Sequence, residues 1–505
     1  RFHKNKDQLF RLTCNLVEKD GKETKYGQSA MVQGPAFTRE IPEIKEFVRV
    51  CEQNFIVKNG NETFNDKASW ADENFFTVFS FPLVRGDPKT VLSELHNIVL
   101  TEETATKYFG TADAIGKTLE LEIRDTFQTF IVSGIAKKSP QNSSIKFSMV
   151  LPFKYHEKAE HEDGWLWLSY PTFFVMDAKT NLKGVAAKMK EVYETQAKNE
   201  IIDAEKRGEG IKCVWGVQPF VQMHLDTETQ GTEYASNPVY SYILAAIALF
   251  ILLIACINFV NLSVGQSLKR SKEIGIRKVV GSERSQLIRQ FLGESYLLCF
   301  IAFVVAIVLA QLALPVFNDL ANKRLSLSYL PDYKLVTSFF GLFLITGFTA
   351  GFYPALVLSG FDPVKTLYNR SKFAGKNYLS KSLVVVQFAL ATFLIITTFF
   401  IYSQFNYLTH AKLGYNDKNL LLISTGQDRN KQLAERFKNE LAKDPGIEMV
   451  APRMGGEWYT ITRAAGKEFD VKYEHIDMNY FQTLQVPLIA GRNFSNDFPA
   501  DSTNS

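Results

Sequence analysis

Along four stretches of this chain the alternation of apolar and polar residues disappears. Ile243 to Val264 carries no charged side chain, and Tyr296 to Phe317, Leu335 to Leu358 and Leu383 to Tyr402 repeat the pattern. A helix needs about 20 such residues, rising ~1.5 Å each, to cross a ~30 Å hydrocarbon layer. Each run therefore predicts a membrane span, near 243–264, 296–317, 335–358 and 383–402. The amides inside them are Asn258, Asn261, Gln311 and Gln387, and none of these groups ionises. An ion-coupled transporter, which relays charge through intramembrane Asp, Glu, His or Arg, is disfavoured.

Residues 1–240 behave differently, with short strand-like runs alternating with amphipathic ones. Phe127 to Ala136 predicts a strand and Glu102 to Phe109 a helix, with Thr101 as N-cap and Gly110 as a left-handed stop. The fold class that follows is a polytopic α-helical membrane protein with α+β extracytoplasmic domains. Its orientation comes from the basic loops. Lys269, Arg270, Lys272, Arg277, Lys278, Arg284 and Arg289 crowd the loop 265–295, and Lys365, Arg370, Lys372, Lys376 and Lys381 the loop 359–382, whereas 318–334 holds Lys323, Arg324 and Lys334. Basic loops stay in the cytoplasm, so residues 1–240 and everything after Ser403 are expected outside. Exporting them calls for a further helix or a leader before residue 1.

A repeat points the same way. Asp72–Asp87 (DENFFTVFSFPLVRGD) and Asp477–Arg492 (DMNYFQTLQVPLIAGR) share six of sixteen positions where chance gives about one. The copies are offset by 477 − 72 = 405 residues, which sets the helix ending near Phe405 against one ending just before residue 1. The expected organisation is an extracytoplasmic domain at 1–240, a membrane domain at 241–405 and the start of a second, truncated extracytoplasmic domain at 406–505.

Composition adds exclusions. In 505 residues the net charge is +4, too mild for a nucleic-acid binder, and the five cysteines show neither a disulfide framework nor CxxC spacing. Gly110–Thr118 (GTADAIGKT) has one residue too many between its glycines for a phosphate loop, and predicts a turn into a strand at Leu119. His156, Glu157 and His161 miss the zinc spacing by one residue, which turns the second histidine about 140° away, and predict a charged loop. His3, His96, His224, His410 and His475 show no ligand spacing. The WLWL run at Trp165 is expected as a buried strand. No cofactor, metal or catalytic set is expected.

The informative segment is Gln266–Ser295, QSLKRSKEIGIRKVVGSERSQLIRQFLGES. It predicts two short helices joined at Gly281, with Ser282 capping the second. Lys269, Glu273 and Arg277 lie four apart on one face, and Ile276, Val279 and Val280 form an apolar knob. Basic residues near a bilayer also attract anionic lipid, but lipid does not require a glycine-punctuated elbow.

Here the chain resembles the FtsX/MacB-like family of ABC transporter permeases. Lys272, Glu273, Ile274, Gly275, Ile276, Arg277, Lys278 and Gly281 match its K/R-E-I-G-I-R-K-x-x-G signature, followed by Phe291, Leu292, Glu294 and Ser295. Val280 and Ser282 stand where the family often has Leu and Ala. Tyr353, Pro354, Ala355, Leu358, Ser359, Pro363 and Leu367 look like its third-helix exit, and VLTEETATKYFG from Val99 and IGKTLEL from Ile115 like its outer domain. Two outer domains in one chain are similar to the long, duplicated permeases of Bacteroidetes-type bacteria.

The resemblance implies an inner-membrane permease without ATPase activity of its own. A separate cytoplasmic ATP-binding subunit would dock on the elbow, with Glu273, Ile276, Arg277 and Val280 in contact, and its cycle would move the outer domains, a process called mechanotransmission. A second permease chain or the chain's own second half, a periplasmic adaptor and membrane lipids are further expected partners. The cargo, whether drug efflux or lipoprotein, peptide or lipid export, stays open. A scaffold regulating cell-wall hydrolases without transport, and a membrane-bound enzyme with an outer catalytic domain, are the alternatives.

Overall fold

A computed structural model describes the chain except residues 1–2, 18–20, 125, 141–142, 161–163, 207–211, 232–234, 322, 324, 327–332, 360–377, 413, 424–430, 465–466, 496, 499–500 and 502–505; for 267–272, 357–358, 379–380, 431–433, 455–461, 463–464 and 467–470 it describes the backbone alone. Its strands are β1 (Leu9–Val17), β2 (Glu23–Tyr26), β3 (Glu46–Asn59), β4 (Glu62–Ala71), β5 (Leu83–Arg85), β6 (Asn97–Thr101), β7 (Thr118–Ile123), β8 (Thr126–Ala136), β9 (Met149–Pro152), β10 (Thr172–Val175), β11 (Lys212–Pro219), β12 (Arg453–Ala464) and β13 (Lys467–Ile476). Its helices are α1 (Gln33–Glu40), α2 (Phe75–Val78), α3 (Glu102–Phe109), α4 (Phe153–Glu160), α5 (Leu182–Gln196), α6 (Lys198–Lys206), α7 (Phe220–Met223), α8 (Pro238–Val279), α9 (Arg284–Ala321), α10 (Tyr333–Ser359), α11 (Tyr378–His410), α12 (Lys431–Leu441) and α13 (Tyr480–Thr483).

Strands β1 to β11 form one mixed sheet in which β3 pairs β4, β4 pairs β9, β9 pairs β6, β6 pairs β8, β8 pairs β7, and β7 returns to β3. Those six strands make a closed circuit, which leaves no free edge among them. Its interior is filled by Phe55, Val57, Trp70, Ile98, Leu100, Leu119, Leu121, Phe130, Val132, Met149 and Leu151. On the open side β3 continues through β10 and β1 to β11, and α1 and α5 cover that wing over Phe10, Leu12, Phe37, Phe174, Met189 and Trp215. The expected α3 is present, with the Thr101 side chain accepting from the Thr104 N–H at 3.3 Å and Gly110 left-handed at φ +69°.

Two expectations in this domain are corrected. The segment at Trp165 is not a strand: Trp165 is buried while Trp167 is 66% exposed. His156 is not in a loop but on α4, buried, stacked on Trp70 at 5.3 Å and hydrogen-bonded to the Tyr170 hydroxyl at 3.1 Å. Charge at Glu157 and Glu160 suggested a loop, yet these two are half-buried on a helix in which Phe153 and His156 are buried and Lys154 and Lys158 face solvent. His161 lies outside the described residues.

The repeat extends beyond the sequence match. The pairs from Gln53↔Ala68 to Asn59↔Glu62 in β3–β4 recur from Trp458↔Tyr473 to Ala464↔Lys467 in β12–β13, each residue displaced by 405. The short helix after each hairpin, Phe75–Val78 and Tyr480–Thr483, keeps the same offset. Asp72 and Asp477 open those helices alike, their carbonyls accepting from Phe75 and Tyr480 at 3.0 Å.

Among the described residues, four helices are long and apolar enough to cross a membrane, over Pro238–Gln266, Arg284–Ala321, Tyr333–Leu356 and Lys381–His410; the expected spans 243–264, 296–317 and 383–402 fall inside them, and 335–358 overlaps the third as far as Leu356. Where α9 crosses α10, a Cβ on Gly347 would fall 2.4 Å from the Tyr296 ring, and one on Gly351 2.7 Å from Ser295. Small residues let two membrane helices approach this closely. The Tyr296 hydroxyl donates to the Leu344 carbonyl at 3.1 Å across the same contact.

Candidate functional site

The elbow is where α8 ends and α9 begins. The expectation of two short helices is corrected, because each half is the continuation of a membrane helix. Nothing between Val264 and Val280 breaks the helical period, and Glu273 pairs with Arg277 one turn on at 2.7 Å. The break comes at Gly281. It adopts φ +105°, its N–H donates to the Lys278 carbonyl at 3.1 Å, and the Ser282 N–H reaches back to the Arg277 carbonyl at 3.0 Å. This pair of bonds is the Schellman stop, which requires a left-handed residue and therefore favours glycine. Ser282 does not cap the next helix: α9 starts at Arg284, with Glu283 before it bonded to Gln286 and Ser285.

The motif residues divide between two faces. Ile274 is 2% exposed and packs with Leu287, Phe291 and Ala355, so it braces α8 against α9 and α10. Gly275 is buried beside it. Arg277 donates to both Glu273 and the Gln290 amide at 2.7 Å, joining α8 to α9. Lys278 donates to the Ser359 carbonyl at 2.6 Å and Arg284 to the Ser359 hydroxyl at 3.3 Å, which fixes the elbow to the end of α10. On the opposite face Ile276 is 56% exposed, Val279 67% and Val280 81%. Glu273, Arg277, Gln290 and Glu294 line a polar cleft beside this apolar knob, floored by Ile274 and Phe291. The side chains of Lys269 and Lys272 lie outside the described residues, as do Pro363 and Leu367.

Some bracing residues went unassigned from sequence. Ser359 and Ala355 stood in the matched YPALVLS run without a role, and Gln290 carried no signal. Among the described residues, no three His, Cys, Asp or Glu side chains converge in a metal-holding group. In the outer domain, Arg49 is the most heavily bonded buried charge. It pairs with Asp72 at 2.8 Å and Glu157 at 3.1 Å, donates to the Met31 carbonyl and lies 4.1 Å from the centre of the Phe153 ring. The arrangement builds a post in which the protein's own groups engage the Arg49 guanidinium.

Comparison with known proteins assigns both parts. Residues 3–202 match the family described as MacB-like periplasmic core domain, and residues 245–363 the one described as FtsX-like permease C-terminal. The chain belongs with the FtsX/MacB-like permeases, as membrane proteins with a periplasmic domain. Among curated relatives it is 23% identical over 340 residues to the macrolide export ATP-binding/permease protein MacB of Shewanella sp. (strain W3-18-1), covering 65% of this chain and 47% of that protein. The chain thus spans about half the length of the curated relatives it matches. Solved structures similar to it include a domain of a protein assigned as a permease from Porphyromonas gingivalis, at 20% identity and TM-score 0.38 over 43% of this chain and 92% of that one. Another is the periplasmic region of MacB from Actinobacillus actinomycetemcomitans, at 13% identity and TM-score 0.28 over 42% and 90%.

Proposed function

We propose that this chain is the permease part of an ABC transporter of the FtsX/MacB type in the bacterial inner membrane. Residues 1–240 work outside, 241–405 form the membrane domain, and 406–505 begin a second outer domain. ATP hydrolysis takes place on a separate cytoplasmic ATP-binding subunit; the name of the MacB relatives joins an ATP-binding and a permease part. That subunit seats on the elbow, and its closing and opening tilt the membrane helices and shift the outer domain, which exports or extracts a substrate by mechanotransmission. The observation that carries this reading is the knob of Ile276, Val279 and Val280, held in solvent on a helix end whose other face is locked by Ile274, Arg277 and Lys278. An exposed apolar cluster on a braced lever is a docking feature.

The bracing changes the choice of test. Arg277 holds α8 to α9, so replacing it would mix docking with folding. Ile276→Asp combined with Val280→Asp leaves the bracing bonds intact. The double variant should insert normally, lose co-purification with the ATP-binding subunit and lose permease-dependent stimulation of ATP hydrolysis. Wild-type recovery of the subunit would refute the assignment.

A further inference from the structure

Sequence spacing held Cys14 and Cys213 apart, but the fold brings them together. β1 and β11 are antiparallel neighbours in which Cys14 faces Trp215 and Leu16 faces Cys213. Side chains two positions apart on a strand share a face, so Cys14 and Cys213 are diagonal neighbours on one side of the sheet. The two thiols neighbour one another there, and the Tyr193 side chain of α5 lies beside Cys213 as well. Cys14 is fully buried beneath α5, Tyr193 is 5% exposed, and Cys213 reaches partway to solvent.

We infer that Cys14 and Cys213 are a built thiol–disulfide pair, closed by exchange with a disulfide-bearing oxidant on the extracytoplasmic side. Cys213 is the entry thiol and Cys14 the resolving one. The inference uses the periplasmic assignment of the domain, because disulfides persist in oxidising compartments.

The chemistry balances without a metal. The Cys213 thiolate attacks one sulfur of the oxidant's disulfide, forming a mixed disulfide and expelling a thiolate. Cys14 gives its proton to an expelled thiolate and attacks the Cys213 sulfur, releasing the second. The two cysteines lose two electrons and two protons, and the oxidant's disulfide becomes two thiols. The division of roles follows the surroundings. Its neighbours Cys14 and Tyr193 hold the Cys213 thiol below its ordinary range against the cost of burial. The Cys14 thiol is pushed up by its neighbour Cys213 and by burial. An attacking thiol needs access, and of the two Cys213 reaches partway to solvent while Cys14 is sealed. The sulfurs must close to about 2.05 Å, which asks the diagonal pair to draw together by side-chain rotation and movement of β11 at the sheet edge. β11 ends the sheet and precedes α8, so the bond would tie the strand nearest the first membrane helix to β1.

The test uses the full chain in membranes, treated with oxidised glutathione, quenched in acid, denatured and alkylated with a maleimide. In the wild type, both Cys14 and Cys213 should lose alkylation, a peptide linked through them should appear in the mass spectrum, and dithiothreitol should reverse both changes. In Cys14→Ala the resolving thiol is gone, so a stable glutathione adduct should accumulate on Cys213. The proposal is overturned if both thiols of the wild type remain alkylatable after oxidation, or if the adduct persists on Cys213 in wild type as it does in Cys14→Ala. The wild-type readout stands without the variant, and Cys213→Ser, at the half-buried position, must leave Cys14 unmodified.

Discussion

The outer barrel and the elbow treat their apolar residues in opposite ways. In the barrel, Val57, Ile98, Leu100, Leu121 and Phe130 are sealed from solvent by a circuit of strands without a free edge. In the elbow, Ile274 and Ile276 sit two residues apart on one helix, and the first is 2% exposed while the second is 56% exposed. Complete burial is what stability alone produces. A helix end that buries one stripe and holds the other in water, with its termination fixed by Gly281, keeps surface available for a partner. The same sequence chemistry thus serves folding in one region and, on the docking role proposed above, partner contact in the other.

The largest effect that would sharpen this contrast is Arg49→Ala. Removing one partner of a buried ion pair leaves Asp72 uncompensated and costs about 3–5 kcal/mol. Urea unfolding of the chain in detergent, followed by tryptophan fluorescence, should show this loss in the outer domain while elbow docking stays intact. A loss below about 1 kcal/mol would mean that the post is not structural.

Acid probes the barrel by another route. Burial lowers the pKa of His156 to about 4 in the fold against 6.5 unfolded, with nearby Glu160 opposing the shift and Arg49 supporting it. Between those values the unfolded chain binds the proton and the folded one does not, so stability falls as pH drops from 6.5 toward 4 and is fully present above 6.5. The contribution is roughly 3 kcal/mol. His3, also lowered to about 4 by burial, acts in the same window. His156→Phe should flatten the dependence of the urea midpoint on pH; an unchanged slope would assign it elsewhere. Next in size is Ile274→Ala, which opens the small cluster with Leu287, Phe291 and Ala355 and should cost about 2 kcal/mol, read as earlier proteolysis at the elbow.

How much of this was visible in the sequence depends on whether the determinant is local. The spans, the Thr101 and Gly110 caps and the stop at Gly281 were legible, because length, hydropathy and single-residue conformational preferences specify them. The repeat was legible as well, and the hairpin register that accompanies it follows from the same spacing. Closure of the barrel was not, because a period of two tells that β7 is a strand without telling that it joins β8 to β3. Nor was the Arg49–Glu157 pair, set by partners far apart in the chain, or the meeting of Cys14 with Cys213. At the elbow, sequence supplied the residues but not their division, since a helical face cannot be assigned inward or outward until α10 brings Ala355 and Ser359 against it.

That division makes the smallest expected change in stability the most informative. Val280 is 81% exposed at the helix end just before Gly281, and its backbone N–H bonds to the Ile276 and Lys278 carbonyls whatever its side chain. Val280→Ser removes apolar surface already in water, so folding should shift by less than about 0.5 kcal/mol. If the knob is a docking surface, the same change should weaken recovery of the ATP-binding subunit and lower stimulated hydrolysis, while Ile274→Ala lowers both only together with stability. Equal coupling in Val280→Ser and wild type, at unchanged stability, would make the exposed face incidental and leave the elbow no different in kind from the barrel above it.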